Sequence, residues 1–137
     1  MFDKITDAPE PSSLRSYIPE GNHVLIIDEC IKKEGGPQGD SFIVHLKTES
    51  SDVLDPGARV SFVRNFTKQG DMAISEAKAF AASALHIDFK DITSEHLEGI
   101  CSPDQPLNGE KVACQAKDQP TKSGNMFTKI AWSRYTN

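Results

Sequence analysis

Residues 58–67 read ARVSFVRNFT and residues 72–86 read MAISEAKAFAASALH, and the change of period between these two stretches decides the fold. In the first stretch Val60 and Phe62 share one face and Arg59 points to the other, as in a half-buried strand. In the second stretch apolar side chains recur at steps of three and four residues, namely Ile74, Ala77, Phe80, Ala81, Ala84 and Leu85. This spacing predicts a helix over 72–86 with one apolar face.

Four other runs have the composition of strands. In the run 41–49, Phe42, Val44 and Leu46 share one face and Ile43, His45 and Lys47 share the other, which predicts a half-buried strand. A glycine-rich loop at 34–40 and a loop with Pro, Ser, Gly and Asn at 118–125 each separate two such runs and predict hairpins. The predicted strands cover 23–32, 41–49, 58–66, 111–117 and 127–135, and a shorter helix is predicted over 94–98.

The order of these elements is strand, strand, strand, helix, strand, strand. A mainly β, five-stranded OB-fold has this order: it is a Greek-key barrel with one main helix between strands three and four, and it binds oligonucleotides. We expect residues 21–137 to form one such domain. Residues 1–20 contain three prolines and are predicted to form an extended N-terminal arm outside the core.

The composition limits the class of protein. The chain has 137 residues, a net charge of −5 and 37% hydrophobic residues, without an apolar run long enough to cross a bilayer. Its N-terminus lacks the pattern of a secretory signal, and three widely spaced cysteines favour reduced thiols over a disulfide framework. We therefore expect a soluble, cytoplasmic protein with no membrane partner.

The last two predicted strands, 111–117 and 127–135, form a hairpin that we call the closing hairpin. It is basic, whereas the chain as a whole is acidic. From residue 111 to the end there are five basic residues and one acidic residue, and aromatic side chains are interleaved with the cations. Such a surface can meet phosphates with its cations and stack its rings on unpaired bases. The candidate binding residues are the cations Lys47, Arg59, Arg64, Lys68, Lys122 and Lys129 and the rings Phe66, Phe127, Trp132 and Tyr135.

Each candidate also has a purely structural interpretation. A single cation is most simply a solvated surface charge, so the prediction concerns the set. Trp132 alternates with Ile130, which favours a place in the core, whereas Phe127 and Tyr135 have the opposite parity. Phe127 could instead close the hairpin, and Phe66 could pack under the helix.

Motifs for catalysis and for cofactor or metal binding are missing from the sequence. There is no phosphate-binding loop, no Gly-x-Ser-x-Gly and no His-Glu-x-x-His, and the four histidines lack metal-ligand spacing. We therefore expect a protein that is not an enzyme and needs no cofactor.

The chain resembles the OB-fold single-stranded DNA-binding proteins encoded by bacteriophages. The resemblance is carried by Gly21-x-His-Val-Leu-Ile-Ile-Asp, Gly39-x-x-Phe-Ile-Val, Pro56-Gly57-x-x-Val-Ser-Phe, Lys78-Ala79-Phe80, and Gly109-x-x-Val with Thr121-Lys122-Ser123-Gly124-Asn125-x-Phe-Thr. It implies binding of single-stranded DNA with little sequence preference, in phage replication, recombination or repair within the infected bacterial cell. Many single-stranded DNA-binding proteins end in an acidic tail that recruits partner enzymes, whereas this chain ends in Ser-Arg-Tyr-Thr-Asn.

Two other functions stay open. An OB-fold protein-interaction module could dock a replication or recombination protein without binding nucleic acid, and the acidic balance of the chain favours this alternative. A small hydrolase is the second alternative, although the sequence lacks a nucleophile constellation. Assembly into a homo-oligomer is compatible with each of these functions.

Overall fold

The computed structural model describes residues 16–35, 39–120, 124 and 126–136. The strands are β1 (Ser16–Tyr17), β2 (Gly21–Lys33), β3 (Ser41–Ser51), β4 (Arg59–Asn65), β5 (Lys111–Pro120) and β6 (Met126–Arg134). The helices are α1 (Phe66–Leu85) and α2 (Ser94–Ile100), and a single 3-10 turn, Phe89–Asp91, lies between them. The elements therefore follow the order predicted from the sequence, with one short strand added at the beginning.

All six strands belong to one sheet. Its strand order is β1-β4-β3-β2-β5-β6, in which the five long strands are antiparallel to their neighbours and β1 is parallel to β4. The main helix lies between the third and fourth long strands. The prediction of a mainly β fold with five strands and a helix at this position is confirmed.

Helix α1 begins six residues earlier than predicted. The Oδ1 atom of Asn65 accepts a hydrogen bond from the backbone N of Lys68, so Asn65 is the N-cap. Gly70 then interrupts the helix with φ 63° and ψ −138°, a conformation that glycine adopts easily. The regular amphipathic part follows this kink, which explains why its period predicted a start at residue 72.

The core lies between one face of the sheet and α1. Phe42, Val44 and Leu46 are buried, as their alternation predicted. Phe62, Phe80 and Trp132 form an aromatic cluster in which the Trp132 ring centroid lies 5.1 Å from that of Phe62 and 4.9 Å from that of Phe80. Edge-to-face contacts at these distances add to the stabilisation from burial.

One residue of the predicted apolar helix face lies outside the core. Ile74 is 45% exposed and Leu85 is half-buried, whereas Ala73, Ala77 and Phe80 are buried. Ala73 is on the buried face, and Ile74 follows it at a rotation of about 100° around the helix axis. The buried face is therefore centred on small residues and Phe80, with Ile74 at its exposed border.

The described part of the N-terminal arm is attached to the domain. Ile18 is only 3% exposed and belongs to the hydrophobic core, and Tyr17 pairs with Ser61 of β4. The ring of His23 joins Pro19 O through Nε2 at 2.8 Å and Ser51 Oγ through Nδ1 at 2.7 Å. The prediction of an arm outside the core is therefore corrected for residues 16–20, because a buried isoleucine and a histidine bridge anchor them; the rest of the arm lies outside the described residues.

Candidate nucleic-acid interface

Strands β4 and β6 face each other without a shared ladder. Strand β4 pairs with β3 along its length and with β1 at two positions, whereas β6 pairs with β5. No backbone ladder joins β4 to β6, and both strands are fully described. We call this junction the seam.

A cleft of about 400 Å³ opens along the seam. Its walls come from β1, β4, the first turn of α1 and β6, and they include Tyr17, Lys68 and Phe127. Tyr17 is 74% exposed, Phe127 is half-buried and Lys68 is exposed. None of the described residues that line the cleft is acidic. The cleft is of the size of a small-ligand site and carries positive charge and aromatic surface.

Arg64 lies at the base of the cleft and is buried, contrary to the expectation of a phosphate contact. Its side chain is 9% exposed and its Nε atom lies 2.6 Å from Oε2 of Glu76 on α1. Because the charge of Glu76 neutralises the guanidinium at short range, Arg64 adds little attraction for an external anion. Burial and this ion pair give Arg64 a structural place within the seam.

The first turn of α1 supplies the polar wall of the cleft. The backbone N of Asn65 donates to Oε1 of Gln69 at 2.8 Å, and the side chains of both residues line the cleft. Thr67 Oγ1 accepts from Asp40 N, and Asp40 O accepts from Phe66 N. These bonds bring the end of the 34–40 loop against the start of the helix.

Gly39 fits this junction because of its size and backbone conformation. It has φ 82°, and a Cβ atom at this position would lie 2.3 Å from Oγ1 of Thr67. A larger residue would push the loop away from the helix start. Gly39 and Asp40, at the end of this loop, are therefore held beside the helical turn that forms one wall of the cleft.

A pair of like charges lies on the outer face of the closing hairpin. Lys117 of β5 and Lys129 of β6 are directly opposite each other, and both are exposed. Lys129 is two residues from Phe127 and therefore on the same face of β6. Like charges in this arrangement destabilise a sheet, and an anion placed between them would relieve the repulsion.

A second pair of like charges, Lys47 of β3 and Arg59 of β4, is opposed in the same way. Both side chains are exposed, as predicted. They line a polar pocket of about 390 Å³ together with Asp28 and Glu29. These carboxylates balance part of the charge of this pair. At the closing hairpin, Oε1 of Glu20 accepts from the backbone N of Asp118, next to Lys117, at 3.2 Å, so carboxylates lie near both pairs.

The remaining predicted residues are dispersed. Trp132 is 9% exposed and belongs to the aromatic core, so its assignment to the binding surface is corrected. Phe66 is half-buried and stacks on Phe42 with ring centroids 6.4 Å apart, which places it under the helix start. Tyr135 lies eight residues from Phe127, about 26 Å along an extended strand, with Lys111 Nζ 5.3 Å from its ring centroid. Lys122 lies outside the described residues.

Sequence reasoning missed three residues of this region. Tyr17 was assigned to the arm, although the pattern Tyr17-Ile18 is an apolar pair in a polar segment. Glu76 lies three residues after Ala73 and four before Phe80, so its place on the buried helix face was visible in the helical period. Lys117 could be recognised only once the register of β5 and β6 was known.

Two of the described cysteines are buried, and their thiol pKa values are raised. Burial raises the pKa of Cys30 and of Cys114 to about 12, so both thiols are protonated at neutral pH and are poor nucleophiles. Across the described part of the chain, no group of three or more His, Cys, Asp or Glu side chains is placed to hold a metal ion. Within the same residues, no helix is long and apolar enough to span a membrane.

No family model matches this chain, and no curated protein matches it. The function of the cleft is therefore argued from the residues that form it.

Proposed function

We propose that the sheet is a partly open OB-fold barrel. The five long strands lie in the order third, second, first, fourth, fifth, so that curling the sheet brings its two outer long strands, β4 and β6, together at the seam. Arg64 of β4 donates to Thr128 O of β6 across this junction at 2.8 Å. A five-stranded, partly open Greek-key barrel with a helix after its third strand has this arrangement.

We propose that the cleft binds single-stranded DNA. The observation that carries the proposal is the composition of the cleft: Tyr17, which is exposed, Phe127, which is half-buried, and the cationic residue Lys68 line one cavity whose described lining residues include none with a carboxylate. Aromatic rings stack on any base, and cations follow the backbone, so binding of this kind depends little on sequence. Bases paired in a duplex are not available for such stacking.

The strand continues from the cleft onto the outer face of the closing hairpin. Lys129 lies on the same face as Phe127 and opposite Lys117, so phosphates that leave the cleft meet two cations within one cross-strand pair. The net charge of −5 disfavours the protein's approach to nucleic acid at long range. Binding therefore depends on these local cations and is sensitive to salt.

The same proposal extends to the biological role. The sequence resemblance to phage single-stranded DNA-binding proteins points to DNA replication, recombination or repair in an infected bacterial cell, without catalysis by this chain. Contacts with replication or recombination proteins belong to the proposal as well. The acidic balance of the chain supports the alternative function, a module that docks such a protein and does not bind DNA.

Fluorescence anisotropy with labelled oligo(dT), a duplex of equal length and the corresponding RNA tests the proposal. We expect the protein to bind oligo(dT) at low salt, to bind the duplex more weakly, and to lose affinity linearly on a logarithmic salt scale. Mixed-sequence single strands should bind within a few-fold of oligo(dT). Equal or tighter binding of the duplex, or no binding of single strands at low salt, would reject DNA binding and favour the protein-docking alternative.

A further inference from the structure

The side chain of Arg64 joins the two edges of the seam. Its Nη1 atom donates to Val63 O on β4 at 3.0 Å, and its Nη2 atom donates to Thr128 O on β6 at 2.8 Å. Its Nε atom donates to Oε2 of Glu76. One guanidinium therefore contacts β4, β6 and α1, in a place where neighbouring strands would otherwise exchange backbone hydrogen bonds.

Glu76 completes this bridge from the helix. Its second oxygen, Oε1, accepts from the backbone N of Ile130 at 3.3 Å, so one carboxylate contacts both Arg64 and the edge of β6. The side chain of Glu76 is 7% exposed. The ion pair thus satisfies backbone groups on β4 and β6 that the missing ladder leaves without a strand partner.

The same guanidinium lies against two aromatic rings. Its Cζ atom is 4.7 Å from the centroid of Phe62, which is in the core, and 4.8 Å from the centroid of Phe127, which lines the cleft. Contacts at this distance are favourable cation–π interactions. The guanidinium covers one face of the Phe127 ring, and a stacking base requires the other face.

We propose that Arg64 is a positioning residue for the binding cleft: held by Glu76, it fixes the Phe127 ring and the width of the seam for base stacking, and it does not contact phosphate itself. This inference rests on the proposed function. Each of the three guanidinium nitrogens already donates to one of the acceptors on β4, β6 or α1, and Glu76 neutralises the charge. The planar fork is essential, because an ammonium group cannot reach three such acceptors in one plane.

The test uses the double variant Arg64→Met with Glu76→Gln. Methionine removes the guanidinium with little change in length, and glutamine keeps an Oε1 acceptor for Ile130 N without leaving an unpaired buried charge. Arg64→Lys, which keeps the charge and loses the fork, is the second variant. Lys90→Met, in the 3-10 turn away from the cleft, is the matched control for loss of one cation.

Affinity for oligo(dT) is measured for each variant over a range of salt concentrations, alongside its urea denaturation midpoint. We expect the double variant to fold and to bind about tenfold more weakly, within the range of one lost stacking contact. Its logarithmic salt slope should equal that of the wild type, and Arg64→Lys should not restore affinity. Adding Phe127→Ala to the double variant should weaken binding by less than twofold, because the ring is already misplaced.

Each result that would contradict the proposal has its own meaning. A salt slope lower by ~0.7 in the double variant would show that Arg64 contacts a phosphate and would overturn the positioning role. The positioning role would also be overturned if the double variant folds and binds oligo(dT) as tightly as the wild type does. It would be overturned as well if Phe127→Ala weakens binding by the same factor in the wild type and in the double variant. If Arg64→Lys alone binds like the wild type, the fork geometry is not required and the proposal fails. Absence of binding by the wild-type protein would reject the proposed function and this role with it.

Discussion

The β2–β3 ladder and the β4–β6 seam are two ways of joining strands within one sheet. The ladder pairs the strands from His23 with Ser51 to Lys33 with Ser41, with two irregularities in register, and it buries Leu25, Val44 and Leu46 completely. The seam has no ladder and is joined by the side chains of Arg64 and Glu76. The ladder hides its backbone groups and leaves no room for a ligand, whereas the seam leaves a cleft of about 400 Å³.

This difference shows how a cleft can open beside two strands while their other neighbours stay paired. A backbone ladder holds neighbouring strands about 4.8 Å apart, which excludes any other molecule. A side-chain bridge spans a wider gap and depends on very few residues. The polar links are therefore distributed over many residues in the ladder, whereas at the seam they centre on one ion pair, beside the core contact of Phe62 with Trp132.

The strongest test of this contrast is Arg64→Met alone. The substitution leaves the Glu76 carboxylate buried without its cation, and breaking a buried pair in this way costs ~3–5 kcal/mol of unfolding free energy. Urea denaturation measures the loss. The double variant with Glu76→Gln should recover most of it; a single variant within ~1 kcal/mol of the wild type would show that the seam does not depend on this pair.

Leu46→Ala tests the ladder side. Leu46 is fully buried, so its truncation removes apolar contacts and leaves a cavity, at a cost of ~2–5 kcal/mol of unfolding free energy. Because Leu46 does not line the cleft, the folded fraction should bind oligo(dT) with unchanged affinity. A loss smaller than ~2 kcal/mol would mean that this face contributes less to the core than its burial suggests.

The ladder could be predicted from the sequence and the seam could not. Period-two alternation in Phe42, Val44 and Leu46 reports directly which face of a strand is buried. It also placed Arg64 on the same face as Val60 and Phe62, a sign of a buried cation that the search for surface charges passed over. Its partner Glu76 is twelve residues away on a helix, and a contact of this kind depends on how that helix packs.

The lining of the cleft was predicted in part for a similar reason. Phe127 and Lys68 are brought together in the cleft, and Lys129 lies beside it, because strand parity and position near a loop end are local properties. Tyr135 has the same parity as Phe127 but lies far along the strand, since parity does not report distance from the cleft. Tyr17 enters the cleft only because Ile18 is buried beside it, a tertiary contact without a local signal.

Phe127→Ala tests whether single strands bind at the cleft or elsewhere on the sheet. Loss of one stacking ring should weaken affinity for single strands by ~1–3 kcal/mol while the salt slope stays constant, because stacking releases no counterions. Tyr135→Ala is the matched control, because Tyr135 directly follows the end of β6 and does not line the cleft. Equal losses in both variants, measured by anisotropy, would move the binding surface away from the seam.

The smallest expected effect on stability comes from the joint substitution Lys117→Gln and Lys129→Gln. These cations are directly opposite each other and exposed, so removing both charges relieves a cross-strand repulsion and should stabilise the fold by ~0.2–1 kcal/mol. The same change removes two proposed phosphate contacts and should lower the salt slope for single strands by about 1.4. Lys33→Gln with Lys90→Gln removes two exposed charges that do not line the cleft and serves as the control in both measurements.

A rise in the unfolding free energy together with weaker, less salt-dependent binding of single strands would distinguish a binding surface from an ordinary solvated face. A pair of cations kept only for solubility would gain stability on removal without any change in DNA binding. A pair that contributed to the fold would lose stability on removal. Only a pair that holds an anion leaves the free protein more stable and the complex weaker when its charges are removed, because the repulsion is then the cost of a site that the phosphate backbone fills.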